Sequence, residues 1–115
     1  MEKVLEGLNS VAGVRGSMVM TTEGVVASSK LPEEIAEDAV AAVSAHMIKT
    51  GGSSLRGLGF GEFNRLILTC VHGRLVFVNM GIGYLVVIAN QGIDLRQILI
   101  EIDSAARRLK SPRVS

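Results

Sequence analysis

The chain is poor in the residues that most often mark a chemical role. It has one cysteine, no tryptophan, three phenylalanines and one tyrosine among its 115 residues. A single cysteine excludes an intrachain disulfide, and so few aromatic rings disfavour a surface that stacks the bases of single-stranded nucleic acid. The formal net charge is only +1, which gives no general attraction to nucleic acid or to a membrane surface.

Long hydrophobic runs are also missing. The longest uninterrupted apolar stretch covers residues 85–89, far fewer than the roughly 20 residues that a membrane span needs. The first residues lack the charged-then-apolar layout of a signal peptide. We therefore expect a cytoplasmic protein without a membrane span. The length predicts one domain over residues 1–115, with residues 110–115 as a frayed tail.

Candidate ligands and nucleophiles are scarce. His46 and His72 have no cysteine or second histidine at ligand spacing. Residues 52–57 match the glycine spacing of a phosphate-binding loop, but Leu58 and Gly59 stand where Lys and Ser or Thr are required. No serine or cysteine lies in a nucleophile-elbow context. The sequence thus predicts no metal, no cofactor and no enzymatic activity.

The most informative feature that is present is a helix predicted over residues 32–49. Pro32 suits the first helical position, and the acidic residues that follow suit the positive end of the helix dipole. After its first turn the segment is apolar almost all the way round. Such a helix must be covered on both sides. One small domain covers one side, so we expect a second protein on the other.

The remaining pattern predicts two more helices and five strands. A first helix is expected over residues 2–9, and a last one begins after Asp94, a good N-cap. Residues 51–61 are rich in glycine and are interpreted as a loop, with one irregular helical turn around residues 53–56 as the alternative left open. Short connections make the last three strands antiparallel. The strands are expected over residues 14–20, 25–29, 64–71, 75–80 and 84–90.

Three polar or reactive residues receive structural interpretations. The later strands are apolar on both faces and need cover on both, so Cys70 is interpreted as a buried small hydrophobe. His72 is interpreted as a solvated turn residue, and His46 as a core or interface residue.

Several segments together resemble the roadblock/dynein light-chain family, which includes the bacterial MglB-type regulators. They are residues 8–17 (LNSVAGVRGS), 22–28 (TEGVVAS), 73–85 and 90–95 (NQGIDL). The resemblance extends from residue 5 to about residue 109. It implies an α+β, roadblock-like (profilin-like) fold of order α-β-β-α-β-β-β-α. A single layer of five antiparallel strands would carry the first and last helices on one face and the middle helix on the other.

The resemblance also implies a function. Family members are non-enzymatic scaffolds or regulators that dimerise by placing two middle helices side by side and pairing their third strands. Many bind Ras-like small GTPases through the surface that carries the paired helices, and MglB-type members accelerate GTP hydrolysis without donating a catalytic arginine. For this chain it implies a homodimer, or a heterodimer, that regulates a Ras-like GTPase. The alternatives are a structural adaptor of the motor light-chain kind and a small-molecule-sensing domain.

Candidate interaction residues follow from the unusual helix and from the resemblance. Partner-binding candidates lie at the acidic start of the helix and in the glycine-rich segment: Glu33, Glu34, Glu37 and Arg56. Candidate dimer-interface residues are the apolar ones of the helix and of the third strand: Ala39, Val40, Val43, His46, Met47, Leu66, Leu68 and Cys70.

Overall fold

A computed structural model describes residues 1–111 and contains three helices and five strands in the predicted order. The helices are α1 (Glu2–Asn9), α2 (Glu37–Gly57) and α3 (Leu95–Lys110). The strands are β1 (Val14–Thr21), β2 (Val26–Lys30), β3 (Arg65–Cys70), β4 (Gly73–Asn79) and β5 (Gly83–Ala89). The predicted α+β order is therefore confirmed, with strand ends that differ from the predicted ones by at most two residues.

The five strands form one antiparallel sheet in the order β2-β1-β5-β4-β3. Consecutive hairpins place β3, β4 and β5 side by side, as their short connections predict. Strand β3 pairs with β4 from Arg65 opposite Val78 to Cys70 opposite Gly73. Strand β3 is thus an edge strand, and its outer side meets no other strand among residues 1–111.

Helices cover both faces of the sheet. Side chains alternate along β4, so that Val76 and Val78 join the core beneath α1 and α3 while Phe77 joins the core beneath α2. The first core also contains Leu5 and Ile98, both fully buried. The expectation that the first and last helices share one face, with the middle helix on the other, is confirmed.

Helix α2 differs from the predicted helix at both ends. Residues 32–36 form a turn in which the Ile35 N–H donates to the Pro32 carbonyl at 3.0 Å. Ala36 is the extended N-cap and gives no side-chain cap bond, and the helix begins at Glu37. Pro32 therefore starts the turn that precedes the helix, and the prediction that it occupies the first helical position was wrong.

The helix also continues through part of the segment that we interpreted as a loop. Gly51 and Gly52 are helical, although a glycine costs about 1 kcal/mol relative to alanine in a helix interior. Continuing past them places Leu55 on the core that contains Phe63, and this burial offsets the cost. The interpretation of residues 51–61 as a loop was wrong up to Gly57. The alternative of a helical turn around residues 53–56 is closer to the structure, where that turn belongs to the continuous α2.

The helix ends in a Schellman motif. The Gly59 N–H donates to the Arg56 carbonyl at 2.9 Å, and the Phe60 N–H donates to the Leu55 carbonyl at 3.0 Å. Gly59 adopts φ +84°, the left-handed conformation that this cap requires and that glycine tolerates best.

Two further predictions have clear outcomes at single residues. Asp94 caps α3, its carboxylate accepting from the Arg96 N–H at 3.0 Å. Cys70 is exposed, so its interpretation as a buried hydrophobe was wrong: it ends an edge strand, where fewer neighbours cover it.

The chain end lies partly outside the described residues. Helix α3 ends at Lys110, the first residue of the predicted tail, and residues 112–115 of that tail lie outside the described residues. Within residues 1–111, none of the helices has the length and apolar character required to cross a bilayer.

Candidate interaction surface

Helix α2 follows the direction of β4 across the sheet. Its N-terminal half lies over Leu75, near the start of β4, where a small apolar cavity of ≈ 210 Å³ separates the two. Further along, a Cβ at Gly51 would lie 3.4 Å from the Leu66 side chain. Because Leu66 pairs with Phe77, and the Cys70 end of β3 pairs with the start of β4, the start of α2 lies toward Cys70 and its end toward Arg65.

One side of α2 faces the β1–β2 hairpin and the opposite side faces the β3 edge. A Cβ at Gly24, in the hairpin, would lie 3.5 Å from the Ala45 side chain. At 100° per residue, Val43 and Met47 lie on the side opposite Ala45. Val43 is 51% exposed and Met47 is half-buried. The side next to β3 is therefore apolar and partly uncovered.

This helix side and the neighbouring strand form one apolar surface, which we call the α2–β3 face. Leu66 and Leu68, on the same face of the sheet, are only half-buried beneath the helix. The members of the α2–β3 face are Ala39, Val43, Met47, Leu66, Leu68 and Cys70.

The other candidate interface residues point elsewhere. Val40 packs against the core beneath α2 and is half-buried, so its side chain belongs chiefly to its own sheet. His46 is exposed and projects from the outward side of the helix. His72 is exposed in the β3–β4 turn, as predicted.

A buried polar group that was not singled out from the sequence lies beneath α2, next to the α2–β3 face. Ser44 is fully buried, and its hydroxyl has no hydrogen-bond partner among the described residues. It lines the apolar cavity that also contacts Val43 and Leu75. An unsatisfied buried hydroxyl costs about 1–3 kcal/mol. Its only sequence signal is a polar residue in an otherwise apolar helix turn.

The four predicted partner-binding residues do not form one patch within a single chain. Glu33 and Glu34 are exposed in the turn before α2, and Glu37 accepts a hydrogen bond from the Ser29 hydroxyl. Arg56 lies at the other end of α2, where its Nη1 is 2.7 Å from Glu62 Oε2. At a rise of 1.5 Å per residue, about 28 Å separates Glu37 from Arg56.

Arg56 also borders a polar cleft that sequence reasoning missed. The cleft has a volume of ≈ 280 Å³ and lies between the second half of α2 and the β1–β2 hairpin. Its polar lining residues come from three separate elements, so no local motif marks them: Thr21, Thr22, Glu23, Lys49, Arg56 and Tyr84. Across residues 1–111, no three His, Cys, Asp or Glu side chains gather as a potential metal site.

Comparison with known families agrees with this architecture. The sequence profile of the Roadblock/LC7 domain matches residues 1–89. The chain belongs to the Roadblock/LC7 family. The matched region includes all five strands and α2, so every residue of the α2–β3 face lies within it.

Relatives of this Roadblock/LC7 chain occur in Methanocaldococcus jannaschii. The uncharacterized protein MJ1340 is 29% identical over 111 residues, which cover 96% of this chain and 97% of the relative. The uncharacterized protein MJ0310 has the same identity and the same coverage of both chains.

Solved structures share the fold. A Roadblock/LC7 domain from Streptomyces avermitilis superposes with a TM-score of 0.86 at 18% identity, covering 96% of this chain and 94% of that one. MglB from Myxococcus xanthus superposes with a TM-score of 0.86 at 21% identity, covering 94% and 89%. At such identities the similarity concerns the fold alone.

Proposed function

We propose that this Roadblock/LC7 chain is a non-enzymatic dimeric module that binds a Ras-like small GTPase and modulates its nucleotide cycle. The observation that supports it best is the α2–β3 face. There an apolar helix side lies beside an edge strand whose outer hydrogen-bonding groups meet no strand in the described chain.

A second copy of the chain would cover the apolar helix side and pair with the edge strand at the same time. Apolar edge strands are prone to pair with other chains unless they are protected, and β3 lacks the proline or bulge that often protects an edge. A twofold axis would pair β3 with its copy in antiparallel fashion and place the two Val43–Met47 helix sides together. An isologous interface of this kind is the commonest in homodimers.

The dimer would also bring the predicted partner-binding residues onto one surface. With the axis near Met47, antiparallel helices place the end of one α2 beside the start of the other. Arg56 of one copy would then lie level with Glu37 of the second along the helices, each on the side of its own helix that faces away from the axis. These charges would flank the paired helices, whose surface is the one that the family resemblance implies for a GTPase.

The dimer is tested by Val43→Glu. Burying an unpaired carboxylate in an apolar interface is strongly unfavourable, so we expect the variant to be monomeric. Light scattering should report twice the 12.2 kDa chain mass for the wild type and the mass of one chain for the variant. The control is Ile100→Glu, at a position on α3 that is 66% exposed and should stay dimeric. A wild type that is monomeric at high concentration would overturn the dimer.

The proposed GTPase interaction is tested by capture of GTPases on the immobilised chain and by measurement of their GTP turnover. Ras-like GTPases from the same genome, loaded with GDP or with a non-hydrolysable GTP analogue, should bind the immobilised chain in one nucleotide state, and GTP hydrolysis or exchange should change in rate. Glu37→Lys or Arg56→Glu should weaken capture, whereas Arg96→Glu on α3 should not. Capture of a helix from a larger chain, with no preference for a nucleotide state, would instead support a structural adaptor.

A further inference from the structure

The loop that follows α2 displays two large apolar side chains. Leu58 is 69% exposed and Phe60 is 74% exposed, and we call this pair the 58–60 ridge. Glycines flank both residues, and a Cβ at Gly57, Gly59 or Gly61 would meet nothing within 4 Å. The loop therefore does not pack the ridge against its own chain.

The ridge is nevertheless held in place. The Schellman bonds fix the backbone at Gly59 and Phe60, and the ion pair between Arg56 and Glu62, 2.7 Å long, joins the two ends of the loop. An exposed apolar group on a preformed loop loses little conformational entropy when it binds. Aromatic anchors of this kind commonly dominate the binding energy of an interface.

An apolar groove lies at the opposite end of the α2 side of the sheet. It has a volume of ≈ 460 Å³ and is formed around the β3–β4 hairpin, so we call it the hairpin groove. Its apolar lining includes Cys70, Val71, Leu75 and Ile88, and Val71 is 76% exposed. Helix α2 begins beside the groove and leaves it uncovered.

A twofold axis through paired β3 strands brings the ridge of one copy to the groove of the other. Antiparallel pairing about the middle of β3 sets Arg65 of one copy opposite Cys70 of the second. The residues that precede Arg65, which carry the ridge, then lie beside the second copy's β3–β4 hairpin.

The helices lead to the same placement. With the axis near Met47, residues 58–60 of one copy lie opposite residues 34–36 of the second, immediately before α2 begins. The hairpin groove opens at this end of α2. The pairing of the β3 strands and the pairing of the helices therefore place the ridge of one copy at the same position, beside the groove of the other.

The chemistry of the two surfaces is complementary. The groove is apolar inside, and Arg15 and His72 also line it. The guanidinium of Arg74 lies on the opposite face of the sheet, where its Nη1 donates to the Ile93 carbonyl at 2.9 Å. The ridge is apolar, and Glu62 follows it two residues later with a carboxylate that is paired with Arg56 and remains 60% exposed. A carboxylate that approaches the cationic side chain of Arg15 favours this orientation over the reverse one.

From this we infer that the 58–60 ridge of each subunit docks into the hairpin groove of the other, so that two reciprocal apolar contacts flank the paired helices. The inference rests on the proposed dimer and adds to it a defined second contact. It also gives Phe60 the role of an interface anchor.

Disulfide cross-linking tests the contact directly, because Cys70, the single cysteine of the chain, lines the groove. The variant Phe60→Cys, oxidised in solution, should form a covalent dimer whose cross-linked peptides join position 60 of one chain to position 70 of the other. The double variant Phe60→Cys with Cys70→Ser should lose that species. The control Ile100→Cys, on α3, should not link to position 70.

Affinity supplies a second readout that does not depend on oxidation. Phe60→Ser should raise the dimer dissociation constant at least about tenfold, measured by sedimentation over a dilution series, while circular dichroism stays that of the wild type. Ile100→Ser should leave the constant unchanged. If the wild type dimerises and Val43→Glu dissociates it, but Phe60→Ser has no effect and no 60-to-70 link forms, the ridge contact is refuted and the dimer stands. If the wild type is monomeric, both are refuted.

Discussion

Individual glycines in this chain have opposite roles, and the contrast is testable. A Cβ at Gly83, in β5, would lie 2.4 Å from the Met20 carbonyl oxygen on the adjacent strand, whereas one at Gly7, in α1, would meet nothing within 4 Å. Gly83→Ala should therefore destabilise the fold by about 1–3 kcal/mol, because two backbones must separate. Gly7→Ala should stabilise it by up to about 1 kcal/mol through helix propensity. Urea denaturation of both variants measures the difference, and equal effects would contradict it.

At the residue scale, the features that the sequence predicted well are those set by near neighbours. Asp94 caps α3 because its carboxylate reaches an N–H two residues away, and the resulting signal is local. Exposure of Cys70 is different, since it depends on where α2 lies over the sheet. No pattern within residues 64–71 contains that information, so an apolar run was mistaken for a buried one.

At the scale of whole elements, features set by local sequence were again predicted better than features set by tertiary packing. Five strands, three helices and the double cover of the sheet follow from periodicity and from the family resemblance. The ends of α2 do not, because propensity and tertiary packing disagree there. Glycines at 51 and 52 disfavour a helix, while the burial of Leu55 beyond them favours one, and packing has the larger effect.

The contact between α1 and β2 gives a pH prediction at this scale. Lys30 Nζ lies 3.4 Å from Glu2 Oε1 and 3.4 Å from Glu6 Oε2. The hydrogen bond and charge of Glu2, and then those of Glu6, raise the pKa of Lys30 above its ordinary value of 10.5. A raised pKa in the folded state stabilises the fold below the unfolded value, and the stabilisation is lost as pH rises through the folded value.

Lys30→Gln should therefore lower the melting temperature at about pH 8, and the deficit relative to the wild type should disappear as pH rises above 10.5. The deficit should be small and should shrink in high salt, because the group is partly exposed. The control Lys3→Gln removes the charge of an exposed α1 side chain that takes no part in the ion pairs of Lys30 and forms none of its own among residues 1–111. A deficit that grows with pH would contradict this account of Lys30.

At the scale of the whole molecule, the monomer has one well-covered layer and one incomplete layer. Helices α1 and α3 together bury a continuous core, whereas α2 alone covers the opposite side of the sheet and leaves Val43, the β3 edge and the hairpin groove open. The candidate surface was predictable in outline from an all-round apolar helix. Its ridge and groove were not, because their residues are far apart within one chain and would meet only through the proposed twofold axis.

If dimer formation completes this layer, the free energy of unfolding must depend on the subunit concentration. Raising the subunit concentration a hundredfold should add about 2.7 kcal/mol per dimer to the free energy of unfolding, by mass action. The melting temperature of the wild type should rise accordingly in calorimetry over that range. Monomeric Val43→Glu should melt at one temperature throughout, and Phe60→Ser should require higher concentrations to reach the wild-type value. A wild-type melting temperature independent of concentration would show that the α2 layer is stable without a second copy.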